Sequence, residues 1–423
     1  MNHSPSLDAK PAWPVPFHAL ALEKREASSE TGLGLVAGLL LILVFATMPV
    51  YLLPSGSLQV VDLFIVLLIL VMACKLGPRS LASSMQVLYL LPFVIYAVAL
   101  NTVYFAFNNH DLTYLKKAAE MLYVTSIIFT SAMVFSKMLL KGEFFPFFVG
   151  ISLSVIVPFF IQGNYDIVWI RNALSFNNPN QLGYFTILVV SFMLLIKENL
   201  AARYALLQKM RYRFLVWFVI SMAHVMALLS LSKTTLASIF LLDLYLLVRT
   251  PLKTTLPLIG GALLLLGSIF VFMPQYVNKY MDYIQTKANM DQLQERFNKN
   301  YYRIEFTDEW QWLVGAGIGK ADPTIDDKEV HNIFGAILKA YGLIGILLSM
   351  LWFGRLMHLS LSLNGGVMVV LALLLYNSFH NGIRFRSFWI LSGFIVILAS
   401  SLAQSADLRD APRAAVAPPR PHE

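Results

Sequence analysis

The sequence predicts an all-α, polytopic membrane protein of about twelve transmembrane helices, and three observations carry that prediction. Hydrophobic residues make up 57% of the chain and charged residues only 13%, whereas a soluble domain runs near a quarter charged. The apolar residues gather into runs of about 16–23, long enough to cross a bilayer as helices. Alternating segments of about ten residues, the mark of a membrane β-barrel, are not visible.

Taken in order, residues 1–32 form a polar tail. The first nine runs lie within 33–273: Leu33–Leu53, Ser57–Leu76, Ser84–Tyr104, Tyr114–Phe135, Phe144–Gln162, Gln181–Ile196, Phe214–Leu231, Thr234–Val248 and Pro257–Met273. Residues 274–331 are the largest polar connection. Its first part has helical periodicity and mixed charge, so one or two surface helices are expected, closed by the Gly/Pro/Asp loop VGAGIGKADPTIDDKE. The runs Asn332–Phe353, Gly365–Phe379 and Ser387–Leu402 fill 332–402, and 403–423 is a second polar tail. The polar stretch before the first run is too long for the start of a cleavable signal peptide, so none is expected. Cys74 is the single cysteine, which excludes an internal disulfide and a cysteine-based metal site.

Basic residues set the expected orientation. Lys75, Lys137, Lys141, Lys197, Arg203, Arg211, Arg249 and Arg355 fall in connections on the same side as both tails, while the opposite short loops carry few. The positive-inside rule then places both tails in the cytoplasm and 274–331 outside. The net charge of +8 is read as this topology signal; no basic patch interleaved with aromatics points to nucleic acid.

The few basic groups expected on the external side are the candidates for chemistry: Arg171, Lys233, Arg303, His331, Arg384 and Arg386. Charge beside a span is costly and commonly functional, about 2.5–3.5 kcal/mol at a helix centre and less at the interface. For Lys116, Lys117 and Lys339 snorkelling or solvation is the preferred reading. GAGIGK does not follow a buried strand, so it fails the context test of a nucleotide fingerprint. Asn178-Pro179-Asn180 reads first as a helix start. Asp322, Asp326 and Asp327 read as a solvated loop in preference to a Mg²⁺ site, so no metal is assigned.

Four strings give the chain a resemblance to the O-antigen ligase and polysaccharide polymerase superfamily of the bacterial inner membrane. FNNPNQLGYF is similar to its Asn-Pro-Asn-x-x-Gly element, and SLSKTTLASIF to its Ser-Arg-Gly turn between spans. YYRIEFTDEWQWLVGAGIGK resembles the Arg, Trp and Gly-x-Gly string that ends its large periplasmic loop. HNIFGAILKAYGLIGILLSMLWF resembles its His-Asn followed by Tyr-Gly-Leu-Ile-Gly. The resemblance implies a glycosyltransferase that moves a glycan from a polyprenyl diphosphate donor to a glycan or lipid A-core acceptor at the periplasmic face. It implies that Arg171 and Arg303 grip the diphosphate and that His331 acts on the acceptor hydroxyl. Lys233 stands where the family has arginine, and a lysine cannot make the bidentate fork.

Within that expectation the chemistry needs no metal or other cofactor. Guanidinium groups stabilise the charge building on the leaving diphosphate. An imidazole has the basicity to take the acceptor proton near neutral pH, and a single displacement inverts the anomeric carbon. Ligase and polymerase share this chemistry. A transporter or flippase of lipid-linked glycans is the alternative, and it would place its charges near the bilayer midplane.

Overall fold

The computed structural model describes residues 33–53, 58–75, 85–108, 110–161, 173–249, 278, 285, 306, 308–318, 330 and 332–410. Among these residues the ordered elements are all helical. Six helices are long and apolar enough to cross a membrane, and four shorter apolar helices accompany them. The expected run Pro257–Met273 lies outside the described residues, as does most of 274–331.

The helices used below are α1 (Leu35–Thr47), α2 (Val60–Ala73), α3 (Leu91–Phe107), α4 (Leu112–Lys141), α5 (Phe145–Ile156), α6 (Pro179–Asn199), α7 (Met210–Ser230), α8 (Lys233–Arg249), α9 (Ile333–Ser360), α10 (Gly366–Asn377) and α11 (Arg386–Asp410). Their ends differ from the apolar runs for local reasons. α1 ends at Thr47, with Met48 still helical at φ −55°, ψ −39°, because Pro49 has no N–H with which to continue the ladder. α4 outruns its apolar stretch to Lys141 and stops at Gly142, which takes the left-handed conformation at φ 69°.

α6 forms the centre of the bundle. Every residue from Gln181 to Ile196 is buried, as expected of a helix apolar on all sides. α7, α8, α10 and α11 pack around it. α4 packs on α11, and α1 on α2 and α5, which completes the other side.

Hydrogen bonds between helix ends define two poles. At one, the Lys75 ammonium donates to the Leu33 carbonyl at 2.7 Å, Arg249 donates to Asn364 at 3.2 Å and Arg355 to Gln86 at 2.6 Å. At the other lie the N-termini of α2, α4, α6, α8, α9 and α11. There the Tyr376 hydroxyl donates to the Asn180 carbonyl at 2.7 Å, and Arg386 pairs with Asp62 at 2.6 Å. The alternation of helix directions read from the runs is therefore kept by the helices described.

α9 is broken. Gly342 sits inside it at φ 61°, ψ −165°, a conformation open essentially to glycine alone. The break turns the Lys339 and Ala340 carbonyls away from their own helix, and the backbone N–H groups of Ala316 and Gly317 donate to them at 2.9 Å each. The Gly-x-Gly segment expected as part of a surface loop is instead wedged between α3 and α9. The Tyr96 and Tyr104 hydroxyls donate to the Val314 and Gly315 carbonyls at 2.7 and 2.8 Å, and Asn101 accepts from the Ile318 N–H at 3.0 Å. Non-helical backbone at such depth is tolerated because protein groups satisfy it.

A methyl at Gly342 would lie 2.4 Å from the Leu313 carbonyl oxygen. Gly342→Ala is therefore expected to cost about 3 kcal/mol, at the upper end of backbone strain. The thermal midpoint of the purified protein in detergent measures this. An unchanged midpoint would show that the segment 315–317 does not need the break.

Candidate functional site

Three sequence segments converge at the pole that carries the N-termini of α6 and α8. Asn178 is extended, and its side chain accepts from the Gln181 N–H at 2.9 Å, which starts α6 with Pro179 in its first turn. α7 ends at Ser230, and Leu231 takes a left-handed conformation at φ 47°. That turn is so tight that α8 begins at Lys233. α6 and α8 then run side by side at very close approach, since a methyl on Gly183 would fall 2.1 Å from the Thr235 hydroxyl.

The end of α10 closes over both starts. Tyr376 stacks on Tyr184 with centroids 4.4 Å apart, and Asn377 donates to the Tyr184 hydroxyl at 3.2 Å. The Asn377 side-chain oxygen Oδ1 accepts from the Gly382 N–H at 2.8 Å, which folds the next turn back onto Tyr184. His380 thereby sits with Nε2 3.0 Å from the Thr234 hydroxyl and its ring 4.7 Å from Tyr376. Lys233 and Arg384 are both exposed at this pole.

Two parallel helix starts present partial positive charge to the same place. A lysine in the first turn of α8 opposes that field, at a cost of about 0.3–1 kcal/mol. An anion there reverses the sign, because helix dipoles and ammonium then act on it together. The arrangement can bind a phosphate-like group beside an imidazole.

Of the residues singled out from the sequence, Lys233 is brought into this cluster. Arg171, Arg303 and His331 lie outside the described residues, as do Asp322, Asp326 and Asp327. Next to His331, Asn332 is the N-cap of α9, with its side-chain oxygen accepting from the Gly335 N–H at 2.5 Å. The cap is thus supplied by the asparagine of the His-Asn pair. Lys117 pairs with Glu120 at 2.7 Å and Lys116 is exposed, in line with a solvated role.

Arg386 takes a different place from the other cations expected on the external side. Its Nε and Nη2 donate to Asp62 Oδ1 and Oδ2 at 2.6 Å each. Asp62 also accepts from the Tyr123 hydroxyl and the Gln59 N–H at 2.7 Å, and its side chain is only 4% exposed. This network ties α2, α4 and α11 together. The bidentate grip that arginine offers a phosphate is here given to a carboxylate.

Sequence reasoning missed His380, Asp62 and a further pair. His224 in α7 has Nδ1 2.7 Å from the Ile220 carbonyl and Nε2 3.0 Å from both oxygens of Asp243 in α8. Both residues lie midway along apolar helices. A lone histidine and a lone aspartate in such runs were the available signal.

No protein-family model and no curated protein matches the chain.

Proposed function

We propose that the chain is a membrane glycosyltransferase of the O-antigen ligase or polysaccharide polymerase kind. It would transfer a glycan from polyprenyl diphosphate to a sugar hydroxyl at the periplasmic face of the bacterial inner membrane, with both tails cytoplasmic. The observation that carries this reading is the joint start of α6 and α8, with Lys233 exposed and His380 against Thr234. The four strings that resemble elements of that superfamily suggest the reaction class.

In this reading the acceptor oxygen attacks the anomeric carbon and the bond to the diphosphate oxygen breaks. The hydroxyl proton passes to His331, and the polyprenyl diphosphate departs with the bonding pair. Arg171 and Arg303 hold the diphosphate, and Lys233 with the two helix starts adds charge at the same pole. Removing one preorganised donor of this kind costs on the order of 10²–10³ in rate.

Lys233→Gln is therefore expected to lower transfer by about 10², and Lys233→Arg to keep most of it. Steady-state transfer by the purified variants measures this. Equal rates for wild type and Lys233→Gln would remove α8 from the donor site. The orientation has its own test: a cysteine at Gln292, in a Cys74→Ser background, should be labelled by an impermeant reagent from the periplasmic side. Labelling from the cytoplasm alone contradicts the topology.

The His224–Asp243 pair favours a second reading, transport of a lipid-linked glycan, because ionisable pairs at mid-depth mark proton or substrate pathways. Glycosyl transfer is preferred because Lys233, Thr234 and His380 lie together at helix ends of one pole. In that case His224→Gln should leave transfer within about twofold of wild type, a surface-like effect.

A further inference from the structure

The indole of Trp310 lies on the same pole as the candidate site and is 53% exposed. It is nevertheless fixed from behind. Its ring is near-parallel to that of Tyr104, 13° apart with centroids at 6.2 Å. Tyr104 is in turn near-parallel to Tyr114, 12° apart at 5.6 Å. The Tyr104 hydroxyl donates to the Gly315 carbonyl at 2.8 Å, and the Tyr114 hydroxyl accepts from Asn108 at 3.0 Å. Gly317 presses on both tyrosines so closely that a methyl there would fall 2.8 Å from one ring and 2.9 Å from the other. The indole is thus backed by Tyr104 and about half exposed.

We propose that this indole is a stacking platform for a pyranose ring of the glycan. The ligand class rests on the glycosyl-transfer reading; the platform itself rests on the geometry. The face of an aromatic ring is electron-rich and suits the slightly positive C–H face of a sugar. Asp308 and Glu309, both exposed beside Trp310, supply acceptors for hydroxyls at the sugar's rim. A ring already fixed by its neighbours loses little freedom on binding.

The test uses the full chain in detergent and an oligosaccharide freed by mild acid from the surface polysaccharide of cells that carry the protein. Wild type should bind it, Trp310→Ala should bind roughly three- to tenfold more weakly, the size of one lost aromatic contact, and Trp310→Phe should bind within about twofold. Thermal midpoint and membrane retention should be the same for all three. Equal binding by wild type and Trp310→Ala overturns the platform, as does absence of binding by wild type. Weaker binding that appears only with a lowered midpoint or lost retention overturns it too, and makes Trp310 an anchor. Binding without transfer keeps the platform and contradicts the transferase reading; transfer and binding both indifferent to Trp310→Ala do the reverse.

Discussion

Replacing His331 with glutamine is expected to abolish glycan transfer while leaving donor binding nearly intact. Loss of a general base costs roughly 10²–10⁴ in rate. Glutamine keeps a hydrogen-bonding side chain of similar reach but takes no proton at neutral pH, so it isolates the proton transfer. The separation of effects follows from the proposed roles: cationic groups hold the diphosphate, whereas the imidazole meets only the acceptor hydroxyl. The competing role for His331 is to start α9. Asn332 already fills it, accepting from the Gly335 N–H, so a capping defect belongs to Asn332→Ala and would cost about 1 kcal/mol of stability. Glycan transfer and donor binding by purified His331→Gln decide the matter. Transfer near the wild-type rate would make His331 dispensable as a base.

A large loss of stability is also expected at Arg386. Removing it leaves the Asp62 carboxylate, 4% exposed, without its counter-charge inside the bundle. Breaking a buried pair from one side typically costs 3–5 kcal/mol. The Tyr123 hydroxyl and the Gln59 N–H still donate to Asp62 and offset part of this, so about 3 kcal/mol is expected for Arg386→Ala. Arg386→Lys should lose less, because charge is kept and only the second hydrogen bond goes. Asp62→Leu combined with Arg386→Leu should recover much of the loss, since replacing both partners removes the orphaned charge. Thermal midpoints of the four proteins in detergent test this. If Arg386→Ala melts as wild type does but loses transfer, Arg386 acts on substrate and the clamp is incidental.

The helical architecture was legible in the sequence because lipid demands long apolar runs, and a run such as Gln181–Ile196 shows its burial by being apolar on every side. Ends were less legible. They depend on single residues such as Gly142, which act below the resolution of a hydropathy pattern, although Asn178-Pro179-Asn180 did mark the start of α6. The break at Gly342 was hidden, since Tyr-Gly-Leu-Ile-Gly reads as ordinary span. Only the tertiary fit of Gly315–Gly317 against Lys339 and Ala340 makes that glycine necessary. Lys233 could be picked out because charge is rare beside a span. His380, beside the neighbouring Thr234, could not, because its place depends on Asn377 folding the Gly382 turn onto Tyr184. For Arg386 the sequence left function and interface anchoring open, because its acidic partner lay 324 positions away in the chain.

The most direct test is to reconstitute the purified protein with a polyprenyl diphosphate-linked glycan and an acceptor saccharide. The account predicts that glycan appears on the acceptor with one free polyprenyl diphosphate released per transfer, and that His224→Gln behaves as wild type. Movement of the intact lipid-linked glycan between leaflets without cleavage, lost in His224→Gln, would contradict it and establish the transporter.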